Sequence, residues 1–460
     1  MASEAVSGYA RVPALGVTLC AAQALAVGLI MTALHFRGLI GLDLALLVTT
    51  VPVAAGAGLI AARQSLPGRR LPLLPTALAL NLLGLIVLAD IAPGFARLQS
   101  IWSVLGISAY LVLLAAGSSL ARTRRWQEVL FLVSLALVAL TFPFGTNPSG
   151  IGPRQWLALG PLYFEPSELL KLSLAFLLAH RLTASSESTG LRRPLLAVGI
   201  SLFLLILQGD LGAVLTVAGI GALVILLASG RWQHATVGLG LALLVSGGIY
   251  ALVPRARSRT QAWLKPWEQP FGSSYQVLQS WRAITSGGLI GRGLAPEDPT
   301  HIPAAHTDMI LPVIAERFGL WGSMATLSLY ALLLRQTHLV ARRSASDLTS
   351  LISSGTAALI VGQAVLIGAG STGLLPLTGV TFPLVSYGGS SLLTSYVALA
   401  ILDGPLAYVT TPEGTSQPTR LARRQRRVSL GLGASLALLA LWLAIWHTAG
   451  EAILERLLIA

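Results

Sequence analysis

From residue 13 to residue 447 the chain is a succession of apolar stretches, each close to the length that crosses a bilayer. A spanning helix needs about 20 mostly apolar residues and satisfies its own backbone hydrogen bonds. Candidate spans fall near 13–34, 40–61, 72–92, 101–120, 127–144, 167–184, 195–208, 211–229, 232–253, 308–334, 348–370, 386–408 and 428–447. The stretch at 195–208 is short, and its end at Gln208, Gly209 and Asp210 reads as a loop lined by protein. Only 11% of the residues are charged, against about a quarter in a soluble domain. No sizeable soluble domain fits between the spans. The predicted fold is all-α: a polytopic integral membrane protein of about thirteen transmembrane helices.

The net charge of +13 does not point to nucleic acid. The basic residues form short clusters between apolar segments, at Arg69 and Arg70, Arg122 to Arg125, Arg192 and Arg193, Arg342 and Arg343, and Arg420 to Arg427. That is the positive-inside pattern of cytoplasmic loops in contact with anionic membrane lipids. It puts the N-terminus inside and the C-terminus outside, in the cytoplasmic (inner) membrane. The N-terminus lacks the charged start and cleavage pattern of a secretory signal, so the first span reads as a retained anchor. A single cysteine, Cys20, excludes an intrachain disulfide and a cysteine metal cluster.

This orientation places two longer loops outside, 145–166 and 254–307. Long ordered loops tend to carry function, so the chemistry is expected to face away from the cytoplasm. Ionisable groups inside membrane segments are costly and are functional candidates by default. Glu168 and Lys171 lie three apart, on one helix face; they read either as a structural ion pair or as part of a site. Asp210 reads as a helix cap or a ligand group. Asp308, beside His306, opens the span after the long loop, and Glu316 and Arg317 follow deeper. The outer loop carries Arg255, Arg257, Arg259, Lys265, Arg282 and Arg292. Cations there run against the topological bias and suit an anionic phosphate ligand or lipid headgroups.

The run GLLPLTGVTFPLVSYGGSS at 373–391 resembles the signature of the SEDS family (shape, elongation, division and sporulation), typified by FtsW and RodA. Four further segments agree in order: GPRQWLALG at 152–160, EPSELLK at 165–171, YQVLQS with SGGLIGRGL at 275–294, and HTD at 306–308 with Glu316 and Gly319. Glu165 stands where the family usually has Gln, Ile367 where Asn is frequent, and Ala304 where Glu is frequent. The resemblance implies a ten-span core at 67–410 that includes the outer loop 254–307. An extra N-terminal pair at 1–66 precedes it, and a basic linker with an extra span at 411–460 follows.

The resemblance also implies an activity: an inverting peptidoglycan glycosyltransferase that polymerises lipid II at the outer face of the membrane. Asp308 would be the general base. Arg154, Lys171, Arg282 and Arg292 would face the diphosphate, and Trp156 would stack on a sugar or prenyl chain. Glu168, Asp210, Tyr275, Gln276, Gln279, Ser280, His306, Thr307, Glu316, Ser386, Gly388 and Gly389 complete the implied substrate-binding set. A divalent cation, Mg or Mn, would assist the diphosphate, though no dedicated ligand cluster is visible in the sequence. The implied partner is a class B penicillin-binding transpeptidase, whose motifs this chain lacks. A precursor flippase or transporter and a non-catalytic scaffold are the competing readings. Division, elongation and sporulation stay open.

Overall fold

The computed structural model describes residues 22–403 apart from 24, 36, 39, 66–72, 117–123, 149, 151, 161, 185–190, 231–232, 234–246, 249, 251–252, 297–298 and 345, together with Ala437, Ala440 and Leu441. The spans expected at 232–253 and 428–447 and the basic linker lie almost wholly outside the described residues. So do the start of the span at 13–34, Cys20 and the Arg255 side chain.

Thirteen helices are described. In chain order the first eight are α1 (Leu25–His35), α2 (Leu42–Ser65), α3 (Leu73–Ile91), α4 (Pro93–Ala116), α5 (Arg124–Phe144), α6 (Pro166–Ala184), α7 (Arg192–Gln208) and α8 (Leu211–Ser229). In the outer loop are α9 (Pro254–Leu264) and α10 (Tyr275–Gly287); α11 (Ile310–Arg343), α12 (Asp347–Ser371) and α13 (Gly389–Asp403) follow. Five of these are long and apolar enough to cross a membrane by length and composition. The sequence reading missed one short element: β1 (Leu157–Leu159) pairs antiparallel with β2 (Leu162–Phe164) in the first outer loop.

Which helices lie inside follows from how much of each is covered. The most apolar stretches of α3 and α12 are 78% buried, against 28% in α5. α5 turns Leu132, Val133, Leu140 and Phe142 outward, and α7 does the same with Leu195, Leu196, Phe203 and Leu207, as helices facing lipid do. α6 is covered nearly all round from Pro166 to His180 by α5, α8, α12, α7 and α13. α4 lies along α13, and α3 joins α4 and α11. Pro75 sits in the first turn of α3, where its missing N–H costs nothing. The leading N–H of that helix, from Leu73, is taken by the Asp403 carboxylate at the far end of α13 (3.1 Å), and the Tyr110 hydroxyl of α4 donates to the same oxygen (2.8 Å).

Two irregularities shape the outer end. α12 contains a π segment, Ala358–Gly362, immediately before Gln363; such insertions are frequent at functional sites. α11 is not the uninterrupted span expected from 308. It is broken at Gly319, whose backbone (φ 64°, ψ −162°) is non-helical. The glycine-rich turn after α10 fills the break. The Arg292 and Gly293 amides donate to the Glu316 and Arg317 carbonyls (2.8 and 3.0 Å), and the Leu320 amide donates to the Gly288 carbonyl (2.9 Å). A Cβ on Gly319 would lie 2.5 Å from the Gly291 nitrogen, and one on Gly291 would lie 2.3 Å from the Arg317 carbonyl oxygen. Both positions therefore need glycine, by space and by their positive φ.

Candidate active site

Asp308 lies in the turn just before α11 and is buried. Its carboxylate accepts from the Thr307 hydroxyl at 3.2 Å. Burial pushes Asp308 above the usual carboxylate range; the Arg259 guanidinium, its own and Thr307's hydrogen bonds, and Gln276 pull it part of the way back. Gln276 donates to the Pro303 carbonyl (3.1 Å), so α10 also holds the segment that leads into this turn.

The segment between α12 and α13 grips the same turn. The Ser386 hydroxyl donates to the Thr307 carbonyl and accepts the Phe382 amide (3.0 Å). The Tyr387 amide donates to the His306 carbonyl (2.8 Å). The His306 ring stacks on Phe95, centroids 4.2 Å apart and 8° from parallel, and burial holds its imidazole below the usual range. Gln99 of α4 is a residue that sequence reasoning passed over. It donates to the Ser386 carbonyl (2.9 Å) and accepts the Gly388 amide (3.2 Å), so one neutral side chain pins both ends of the SYG turn. Trp102 packs so closely on Gly389 that a Cβ there would meet the indole at 2.2 Å. The space left by Gly389 is thus occupied by α4, and that beside Gly388 by Thr381.

The same segment reaches a second acidic cluster. The Glu165 amide donates to the Ser390 hydroxyl (2.7 Å), and Ser167 donates to the Glu165 carboxyl (2.7 Å). Lys171 donates to Glu168 at 2.6 Å and to the Gln363 carbonyl oxygen at 3.1 Å, and Gln363 donates onward to the Thr381 carbonyl (3.0 Å). Lys171 is 0% and Glu168 2% exposed. Asp210 caps α8 by accepting the Ala213 amide (2.9 Å), while its other carboxyl oxygen is buried with no hydrogen-bond partner among the described residues. Glu165, outside the helix, is pushed up to about 8 by burial and by the charges of Glu168 and Asp210. Three carboxyls therefore share one ammonium.

The remaining sequence candidates divide. Ser280 donates to the Ser371 carbonyl (2.8 Å); Tyr275 and Gln279 are half-buried on α10, and Arg282 is exposed on it. Trp156 exchanges both backbone hydrogen bonds with Thr146, and Arg154 beside it is exposed. Glu316 and Arg292 face each other at 3.6 Å. Glu316 also accepts from Thr300 (2.6 Å) and Arg317 (2.5 Å), and Arg317 reaches Asp90 of α3 (2.7 Å). This network ties the outer loop to α3 and α11, and its Asp90 arm had no signal in the sequence beyond an acid at the end of a span. Among the described residues no three His, Cys, Asp or Glu side chains are grouped to hold a metal ion.

Residues 85–407 match the family model FtsW/RodA/SpoVE, described as a cell cycle protein. A probable peptidoglycan glycosyltransferase FtsW of Geobacter metallireducens is 32% identical over 321 residues, 67% of this chain and 84% of the relative. The peptidoglycan glycosyltransferase RodA of Mycobacterium tuberculosis is 30% identical over 375 residues, 75% of this chain and 80% of that one. Among solved structures, a chain of a peptidoglycan synthase complex that coordinates polymerization and crosslinking superposes with a TM-score of 0.63. It has 33% identity and covers 73% of this chain and 97% of its own. The rod-shape-determining protein RodA of Thermus thermophilus gives 0.56 at 28% identity, covering 73% and 96%. This multi-pass membrane protein belongs to the FtsW/RodA/SpoVE family.

Proposed function

We propose that the chain is a peptidoglycan glycosyltransferase that polymerises lipid II into glycan strands, with Asp308 as its general base. One observation carries the assignment of the base. Asp308 is a buried carboxyl at the head of a broken helix, in a turn fixed by Ser386 and Tyr387. A base in such a position is shielded from bulk water and poised nearer to neutral pH than a free carboxylate.

In the step proposed, Asp308 accepts the proton of a sugar 4-hydroxyl as its oxygen bonds to the donor's anomeric carbon. The bond from that carbon to the diphosphate breaks, and the configuration inverts. The departing diphosphate is anionic and needs cations nearby. We assign that role to Arg154 and Arg282, both exposed to solvent. Lys171 is sealed between Glu168 and Gln363, so it reaches a substrate only through that cluster. The positive-inside pattern supports an active site on the outer face of the cytoplasmic membrane. A class B penicillin-binding transpeptidase fits as partner: a structural neighbour is a chain of a peptidoglycan synthase complex that coordinates polymerization and crosslinking.

The test is polymer formation by purified protein with lipid II in detergent, where no transport can occur. Asp308→Asn should lower the rate by about 10²–10⁴-fold while expression holds. Near-normal polymerisation by this variant would remove the base assignment. No polymer from the unmutated protein with its transpeptidase would favour a precursor transporter or a scaffold.

A further inference from the structure

Two successive peptide units lead into Asp308, His306–Thr307 and Thr307–Asp308. The carbonyl of the first accepts the Tyr387 amide (2.8 Å), and the carbonyl of the second accepts the Ser386 hydroxyl. Peptide units are planar, and the second plane contains the Asp308 Cα. The direction in which that residue leaves the turn therefore follows from where residues 386 and 387 sit. These two do not hold their place unaided. Leu384, just before them, is a buried leucine with φ 68°, a conformation that persists only where the surroundings over-determine it. Three neutral side chains from three helices supply the restraint. The Tyr330 hydroxyl of α11 donates to the Pro383 carbonyl, the Asn81 amide of α3 to the Leu384 carbonyl (3.4 Å), and the Gln99 amide of α4 to the Ser386 carbonyl (2.9 Å). Of the three, Gln99 also spans the turn, since its oxygen accepts the Gly388 amide (3.2 Å).

We propose that Gln99 is a positioning residue for the reaction: through the Ser386 carbonyl and the Gly388 amide it fixes the turn that orients Asp308. This rests on the reading of Asp308 as the base. The neighbours of Gln99 on the same face of α4 support it. Phe95 stacks on the His306 ring and Trp102 packs on Gly389, so Phe95, Gln99 and Trp102 form one template for both segments that meet at the base. Gln99 itself is fully buried, where an unmet carbonyl or amide finds no water. The site asks for one side chain that donates at one end of the turn and accepts at the other. A glutamine amide does both, a carboxylate only accepts, and asparagine is one methylene too short to span the two. With the Ser386 carbonyl released, Leu384 relaxes toward an ordinary backbone region. The Ser386 hydroxyl and Tyr387 amide then shift, and the two peptide planes before Asp308 shift with them.

The experiment measures kcat and KM for lipid II polymerisation by the folded, monodisperse fraction of the full-length protein in detergent, together with its thermal midpoint. The variants are Gln99→Glu, Gln99→Asn and Arg97→Gln. Glu keeps the size and the acceptor for Gly388 but loses the donor; Asn keeps the amide but not the reach. Arg97 lies on the same helix and pairs with Asp43 of α2 in solvent, so its loss controls for disturbance of α4. Both Gln99 variants should lower kcat by about 10–10²-fold, the scale of a misplacement of about 1 Å, with KM held within about twofold. Arg97→Gln should leave both constants as they are. A lowered midpoint with an unchanged kcat is what a merely structural role gives, and it overturns the proposal. A raised KM at unchanged kcat also overturns it, because the turn then serves binding. So does an equal loss of kcat in Arg97→Gln. If Gln99→Glu does not fold, Gln99→Asn decides by the same criteria. Asp308→Asn is measured alongside. Normal polymerisation by that variant overturns the base assignment and this inference together. An inactive Asp308→Asn with an unchanged kcat in the Gln99 variants overturns this inference alone.

Discussion

Lys171→Met separates folding from chemistry in the second acidic cluster. Lys171 and Glu168 are sealed from solvent, 2.6 Å apart. Removing the ammonium leaves a carboxylate with neither water nor counter-charge, and takes the donor from the Gln363 oxygen. Breaking one half of a buried pair costs about 3–5 kcal/mol. At about 1.4 kcal/mol for each factor of ten, that is roughly two to nearly four powers of ten in the folding equilibrium. Replacing both halves by neutral groups of similar volume is near neutral, so Glu168→Gln with Lys171→Met should recover most of the loss. The assay is the thermal midpoint in detergent together with lipid II polymerisation, on both single variants and the double. The expected pattern is a low midpoint for Lys171→Met, a restored midpoint for the double, and little polymer from either. An unchanged midpoint in Lys171→Met would refute the reasoning about the pair. Full polymerisation by the double would show that the ammonium serves only the fold.

Glu165→Gln should flatten part of the pH dependence of stability. A carboxyl raised from 4.5 to about 8 holds its proton in the folded state where the unfolded chain has released it. Its stabilising contribution is present in full below the unfolded value and is lost as pH rises through about 8; thermal midpoints from pH 5 to pH 9 check this, and the glutamine variant should lack the decline. Gly319→Ala should destabilise by more than about 1 kcal/mol, since the new Cβ meets the Gly291 nitrogen and the Leu289 carbonyl at 2.5 Å. Limited proteolysis should then cut within 287–295, and an unaltered cleavage pattern would argue against the interlock. In a Cys20→Ser background, Phe271→Cys, at a position 93% exposed in the outer loop, should react with an impermeant thiol reagent in intact cells, whereas Arg193→Cys should not. The reverse would invert the topology.

Much of this was legible because lipid permits so little. Apolar length gave the helices, and charges inside or beside them pointed to Glu168, Lys171, Asp210, Asp308, Glu316 and Arg317. What stayed hidden was which polar groups meet. Gln99 and Gln363 carry no charge and sit within apolar helices, so nothing in their local pattern sets them apart. Gln99 holds the 386–388 turn from 287 residues away, and Gln363 ties Thr381 to Lys171, 192 residues before it. The break at Gly319 was hidden for a related reason. A glycine inside an apolar helix is ordinary, and only the approach of Gly291 shows why this one must leave the helical region. Glu165 was visible as a departure from the usual Gln of the motif it resembles, but the effect of the Asp210 charge on it depends on α8 packing against α6.

The cap on α3 has a consequence for how the chain is made. Its first amide is satisfied by Asp403, 330 residues later, and the Tyr110 hydroxyl of α4 shares that acceptor. Spans enter the bilayer in the order of synthesis, so α3 waits with an open end until α13 arrives. The ring of α3, α4 and α13 therefore closes late, and one carboxylate marks its completion. A ribosome that stops short of that aspartate releases a chain of inserted helices with no seam, which is the species a membrane protease would be expected to find first.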